Sequence, residues 1–131
     1  MEFQGMKIVL GDGMKVDVID GPMTIRTDQP VSVGGEGSAP SPYQLFLASL
    51  AACAGFYVKR YCQTRGISEE GIALTQEMLA GDDGRLGTIR IAIQLPPGFP
   101  EEHKAAVRRA AEHCAVKKTI ANPPAFDIVL E

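Results

Sequence analysis

The sequence predicts an α+β fold in which antiparallel strands lie against two main helices. Three observations carry that expectation. Short apolar runs joined by glycine-rich turns occupy residues 6–27 and again residues 72–95. Between them, Ser41 to Arg65 reads SPYQLFLASLAACAGFYVKRYCQTR, a single helix that is apolar all round in its middle. The predicted order is βββ-α-ββ-α-β, which lacks the strand–helix–strand alternation that builds parallel sheets. The 131 residues suit one domain, 1–131, large enough to bury roughly 65–70% of its unfolded surface.

Residues 1–5, MEFQG, read as a leader and carry no weight. Met6–Leu10 and Met14–Ile19 form a predicted hairpin through Gly11-Asp12-Gly13. Lys15 and Asp17 alternate with Val16 and Val18, so one face is wet and the other buried. Asp20-Gly21-Pro22 turns the chain into a third strand, Met23–Thr27. A loop rich in glycine, proline and serine follows from Asp28 to Pro40. Its Gly34-Gly35-Glu36-Gly37 has no P-loop lysine and lies outside a βαβ unit, which argues against a nucleotide site. The glycines instead predict close passage of the backbone past another chain or a ligand.

Ser41 and Pro42 start the central helix, the serine as cap and the proline at the first helical position. Gly66 stops it, because glycine takes the left-handed conformation at little cost. Between Leu45 and Val58 only Ser49 carries a strong polar group, so the helix needs cover on every side. The run is too short to span a bilayer, which takes ~20 apolar residues. In a chain of this size the second side is covered most simply by another copy, which predicts a homodimer.

Ile72–Ala80 and Thr88–Leu95 are the next two strands, with Gly81–Arg85 as the hairpin tip and Pro96-Pro97-Gly98 as the stop. Ile89, Ile91, Ile93 and Leu95 share the buried face of the second. Glu101 to Cys114 is the second helix, acidic in its first turn and basic further on, as the helix dipole favours. Ala106, Val107, Ala110, Ala111 and Cys114 make its inward stripe. Val116–Ile120 adds a short helical turn, and Phe126–Leu130 is a last strand.

The net charge is −3 and tryptophan is absent. No clustered basic face exists, which excludes nucleic-acid binding as a main function. No basic segment followed by an apolar core opens the chain, so no secretory signal, no membrane association and a cytoplasmic location are expected. The three cysteines, Cys53, Cys62 and Cys114, form no CxxC pair, so no metal site is expected and packing or redox chemistry is left.

Cys53 lies among small residues in the middle of the apolar helix. A buried cysteine is commonly no more than a small hydrophobe. Cys114 also points inward, and two thiols on facing helices can join if their Cα atoms approach within ~7 Å. Cys62, nine residues beyond Cys53, faces elsewhere on the helix and reads as packing. His113 reads either as a base or as a helix C-terminal residue balancing the dipole, and His103 as surface.

GGEGSAPSPYQLFLASLAACAGFYVKRYCQTRGI and HCAVKKTI together resemble the OsmC/Ohr family of thiol-dependent hydroperoxide reductases. The likeness runs over nearly the whole chain. It implies an intertwined homodimer with a buried central helix and active sites at the subunit interface. It also implies that Cys53 is the peroxidatic cysteine and Cys114 the resolving one, with no cofactor beyond an external dithiol, of lipoyl type for example. The expected substrate is an organic hydroperoxide, since an apolar pocket favours it over hydrogen peroxide.

The chain departs from the family in the residues that would ionise the thiol. Active members resemble one another in carrying an arginine on the N-terminal strands and a glutamate at the start of the central helix. Here Pro42-Tyr43-Gln44-Leu45 has tyrosine in the glutamate's place, and the first hairpin has Lys15 rather than arginine. The pattern is closer to the OsmC-like branch. Arg26, Lys15 and Arg60 are the candidate cations, and Glu36 and Tyr43 the candidate hydrogen-bonding groups. The alternative expectation is a dimeric binding protein for an apolar small molecule, with little peroxidase activity.

Overall fold

The computed structural model describes residues 5–131; the first four residues of the expected leader lie outside them. The chain divides into two compact units, Met1–Ala48 and Ser49–Glu131, with the boundary inside the central helix. The fold is α+β, with two small antiparallel sheets and three helices.

The N-terminal unit carries β1 (Lys7–Leu10), β2 (Val16–Asp20) and β3 (Met23–Thr27), in spatial order β1-β2-β3. Asp20 faces Met23 across a two-residue turn. Gly21 there has φ +55°, the sign that a type II′ hairpin needs at its first central position. Beyond β3, the loop from Asp28 to Pro40 folds back on its own start: the Asp28 N–H donates to the Pro40 carbonyl at 3.1 Å and the Gly37 N–H to Gln29 at 3.0 Å. Gly35 passes so close to Gln29 that a Cβ would sit 1.9 Å from its carbonyl oxygen. The close approach expected of these glycines is thus to the loop's own backbone.

Helix α1 (Pro42–Thr64) begins and ends where its signals stand. The Ser41 hydroxyl accepts from the Gln44 N–H at 3.2 Å and the Gln44 side chain accepts from the Ser41 N–H at 2.9 Å, a reciprocal capping box. At the other end Gly66 has φ +66°. Ile67 N–H donates to Cys62 and Gly66 N–H to Gln63, at 2.9 and 3.3 Å, the paired bonds of a Schellman stop.

The C-terminal unit adds β4 (Ala73–Ala80) and β5 (Leu86–Gln94), paired antiparallel with a bulge at Leu79/Ala80, then α2 (Lys104–Glu112) and α3 (Ala115–Ala121). A short 3-10 turn, Glu101–His103, leads into α2. Its core is built from Ala54, Val58 and Cys62 of α1 with Phe99, Val107 and Ala111, flanked by Leu74, Ile91 and Ile93.

Three expectations need correction. The second helix does not run to Cys114: α2 ends at Glu112, and Cys114, with φ −69° and ψ 124°, is the extended residue that starts α3. Phe126–Leu130 forms no strand, because a lone segment without a hydrogen-bonding neighbour has no ladder to join. His103 is more than a surface residue, since the Tyr61 hydroxyl and its Nδ1 are 2.8 Å apart. The central helix, for which cover by a second copy is expected, is covered on one side within the single chain. Leu50, Ala54, Val58 and Cys62 are buried at four-residue spacing, while Phe46 and Phe56 are exposed.

Candidate active site

Cys53 reaches the site from the middle of α1 and Cys114 from the junction between α2 and α3. Cys53 is half-buried and Cys114 completely buried; no disulfide joins them. The break after Glu112 positions the second sulfur: extended backbone at Cys114 turns its side chain back toward α1. The Cys114 S–H there lies 3.9 Å from the Leu50 carbonyl oxygen, within reach of a long sulfur hydrogen bond.

The surroundings favour ionisation of Cys53. Burial by itself raises the Cys53 pKa, but a hydrogen bond from the Cys114 thiol, the N–H groups of Val116 and Ala115, and the Lys117 charge outweigh it. The net result holds Cys53 below the ordinary thiol value. Cys114 is pushed up, first by burial and then by its hydrogen bond to Cys53 and the charge of that sulfur. The Cys114 side chain makes no capping hydrogen bond of ordinary geometry, yet the Lys117 and Val116 N–H groups favour its thiolate and offset part of the rise. The first-turn N–H groups of a helix have no intrahelical partner, and here they face the pair of sulfurs. Burial in apolar surroundings would by itself make a thiol inert, and the start of α3 offsets it.

A cavity of about 320 Å³ is lined by Lys117 and by Leu50 and Ala54, the α1 residues on either side of Cys53, though neither cysteine lines it. Leu50 and Ala54 of α1, Ile89, Ile91 and Ile93 of β5, and Ile120 of α3 give it apolar walls. Arg108, Glu112 and Lys117 supply its charge, with Arg108 and Glu112 paired to each other at 3.7 Å. Among the described residues no cluster of three or more His, Cys, Asp or Glu is arranged to hold a metal ion.

The other candidates fall in different places. Lys15 and Glu36, both in the N-terminal unit, form an ion pair at 2.8 Å. Arg26 faces Asp17 across the β2–β3 ladder, and Tyr43 is exposed and stacked on Phe46 with ring centres 6.0 Å apart. Arg60 is exposed on α1. Cys62 belongs to the core, where burial raises its pKa. His113 caps the end of α2 and is exposed. Two features escaped sequence reasoning, Lys117 and the α3 N–H groups. Their signal is the sequence Cys114-Ala115-Val116-Lys117-Lys118, legible only once Cys114 is known to begin a helix.

The sequence profile of the OsmC-like protein family matches residues 35–129. The chain belongs to the OsmC-like family. No curated relative matches it. Among solved structures, this OsmC-like chain is similar to a candidate osmotic-stress-induced and detoxification-response protein from Psychrobacter arcticus, with 25% identity, TM-score 0.72 and 91% of each chain covered. It is similar also to an organic hydroperoxide resistance protein OsmC from Legionella pneumophila, at 25% identity and TM-score 0.56, covering 92% of this chain and 90% of that one. An OsmC-like protein from Mycoplasma pneumoniae, at 17% identity and TM-score 0.69, covers 93% and 89% and shares the fold.

Proposed function

We propose that this OsmC-like chain is a thiol-dependent peroxidase that reduces organic hydroperoxides to alcohols, with Cys53 as the attacking and Cys114 as the resolving thiol. The observation that carries this reading is two free, neighbouring thiols, Cys53 from α1 and Cys114 at the start of α3, set against the first N–H groups of α3. The Legionella relative, an organic hydroperoxide resistance protein, adds support from outside the chain.

The Cys53 thiolate attacks the terminal oxygen of the hydroperoxide. The O–O bond breaks, the alkoxide leaves and takes up a proton to become the alcohol, and Cys53 is left as the sulfenic acid, oxidised by two electrons. This step also changes Cys114. Burial remains the main cause of the raised Cys114 pKa, but a neutral sulfenic acid removes the smaller contribution of the Cys53 charge, while the Lys117 and Val116 N–H groups still favour the Cys114 thiolate. The Cys114 sulfur then displaces hydroxide from Cys53, which departs as water with a proton, and a disulfide forms. An external dithiol of the lipoyl type, as a reducing cytoplasm supplies, returns both thiols by exchange.

The functional unit is a homodimer in this reading. Phe46 and Phe56 on α1 are exposed in the single chain, as are Phe126 and Ile128 near its end, and a second copy would cover them. No helix among the described residues is long and apolar enough to cross a membrane.

Steady-state reduction of cumene hydroperoxide with a dithiol tests the assignment. Cys53→Ser abolishes turnover. Cys114→Ser allows one oxidation and stalls at a sulfenic acid that a dione reagent traps. Equal activity in either variant and the unchanged protein would refute the two-cysteine cycle. The apolar cavity favours a second reading, a binding protein for an apolar small molecule; tight ligand uptake with a peroxide-inert Cys53 is its signature.

A further inference from the structure

Lys117 is the one half-buried cation among the described residues of the C-terminal unit, and it is in no ion pair. Arg60, Arg65, Arg85, Arg90, Arg109 and Lys118 are in none either, but they are exposed. Lys59 pairs with Glu69, Lys104 with Glu101 and Arg108 with Glu112. Lys117 stands on the wall of the 320 Å³ cavity with Leu50 and Ala54, residues three before and one after Cys53 on α1. A cation on a largely apolar wall loses hydration and needs an anion to offset the cost.

The anion at hand is the Cys53 sulfur. Ala115 and Val116 turn their N–H groups to it, and Lys117 is the next residue of the same helical turn. Of the charged side chains that line the cavity, Lys117 is the one in no described ion pair. From α1 there is none, since the helix carries no charged side chain between Leu45 and Val58. From β5 the cavity receives isoleucines, and from α2 the Arg108–Glu112 pair. The remaining titratable neighbour is Cys114, an uncharged hydrogen-bond donor to Cys53 when protonated and never a cation.

From this geometry we propose that Lys117 is the positioning residue whose charge keeps Cys53 in its ionised, reactive form. The inference rests on the role of Cys53 proposed above. Lys117 transfers no proton and forms no bond; it biases which form of Cys53 meets the peroxide. Its influence ends when the sulfur becomes a neutral sulfenic acid.

The test is the rate of Cys53 alkylation by iodoacetamide across pH, read by peptide mapping of the reduced full chain. Iodoacetamide is uncharged, so its rate reports thiolate content rather than attraction of the reagent. Lys117→Gln should slow Cys53 alkylation at neutral pH by about threefold or more, half a pKa unit, and move the profile to higher pH. Lys117→Met, which keeps an apolar stem, should do the same. Lys117→Arg should restore the profile, and Lys118→Gln should leave it in place. Coincident profiles for Lys117→Gln and the unchanged protein would overturn the proposal, as would a shift seen with Arg60→Gln and not with Lys117→Gln. No peroxide enters the measurement. A Cys53 that responds to Lys117→Gln but resists cumene hydroperoxide would uphold Lys117 and refute the peroxidase reading separately.

Discussion

Asp28 holds a loop of thirteen residues by a single buried carboxylate. It accepts from the Ser38 hydroxyl at 2.6 Å, from the Gln29 and Ser38 N–H groups at 2.8 and 3.1 Å, and from Glu36 N–H at 3.3 Å. The Ser38 hydrogen bond, followed by those backbone donors, lowers its pKa from 3.8 to about 2. A carboxylate whose folded pKa is depressed contributes stability above its unfolded value and loses it as pH falls toward the folded one. The loop should therefore loosen between about pH 4 and pH 2, read as faster exchange of the Glu36 and Ser38 amides, and Asp28→Asn should weaken it already at neutral pH. Asp28 was not legible as an anchor, because its four donors come from residues that only the folded loop brings around it. The cysteines were legible as a pair, since both were expected to point inward. What holds the Cys53 pKa down was not, because it depends on where α3 begins. The lowered Cys53 pKa predicts a second residue-scale outcome: its reaction with peroxide should hold its rate to a lower pH than that of an ordinary thiol. Cys62, with its pKa raised by burial, should stay unalkylated in the native chain under conditions that label Cys53.

At the scale of the element, the strongest readings came from helix ends and hairpin turns. Ser41, Pro42 and Gly66 bound α1 by local chemistry alone, and Ser41→Ala should cost about 1 kcal/mol of stability, measured by denaturant unfolding. Gly66→Ala should cost a similar amount, about 1 kcal/mol, because alanine is strained at φ +66°. The end of α2 was hidden for the opposite reason. Glu101 to Ile120 contains no glycine or proline, so local propensity gives no break, and the extended conformation at Cys114 is imposed by packing. Phe126–Leu130 shows the same limit from the other side. Its apolar composition reads as a strand, but a strand exists only where a neighbour supplies the ladder.

At the scale of the molecule, the central helix defines what one chain leaves unfinished. Its buried stripe meets the core through Leu50, Ala54, Val58 and Cys62, and its other side presents Phe56 at 53% exposure. The prediction of cover on every side followed from the apolar sequence; within one chain the cover is half made. Light scattering should return twice the 14.0 kDa chain mass, and Phe56→Glu should shift the protein toward that of one chain while leaving its helix content unchanged.

The central claim is that Cys53 and Cys114 work as one redox pair. Intact-protein mass spectrometry after brief exposure of the reduced chain to one equivalent of cumene hydroperoxide tests it most directly. The account predicts a loss of about 2 Da within seconds, for two hydrogens removed as a disulfide forms, with peptide mapping that joins Cys53 to Cys114. A Cys53 still reduced after many minutes, or a disulfide that engages Cys62 instead, would contradict it.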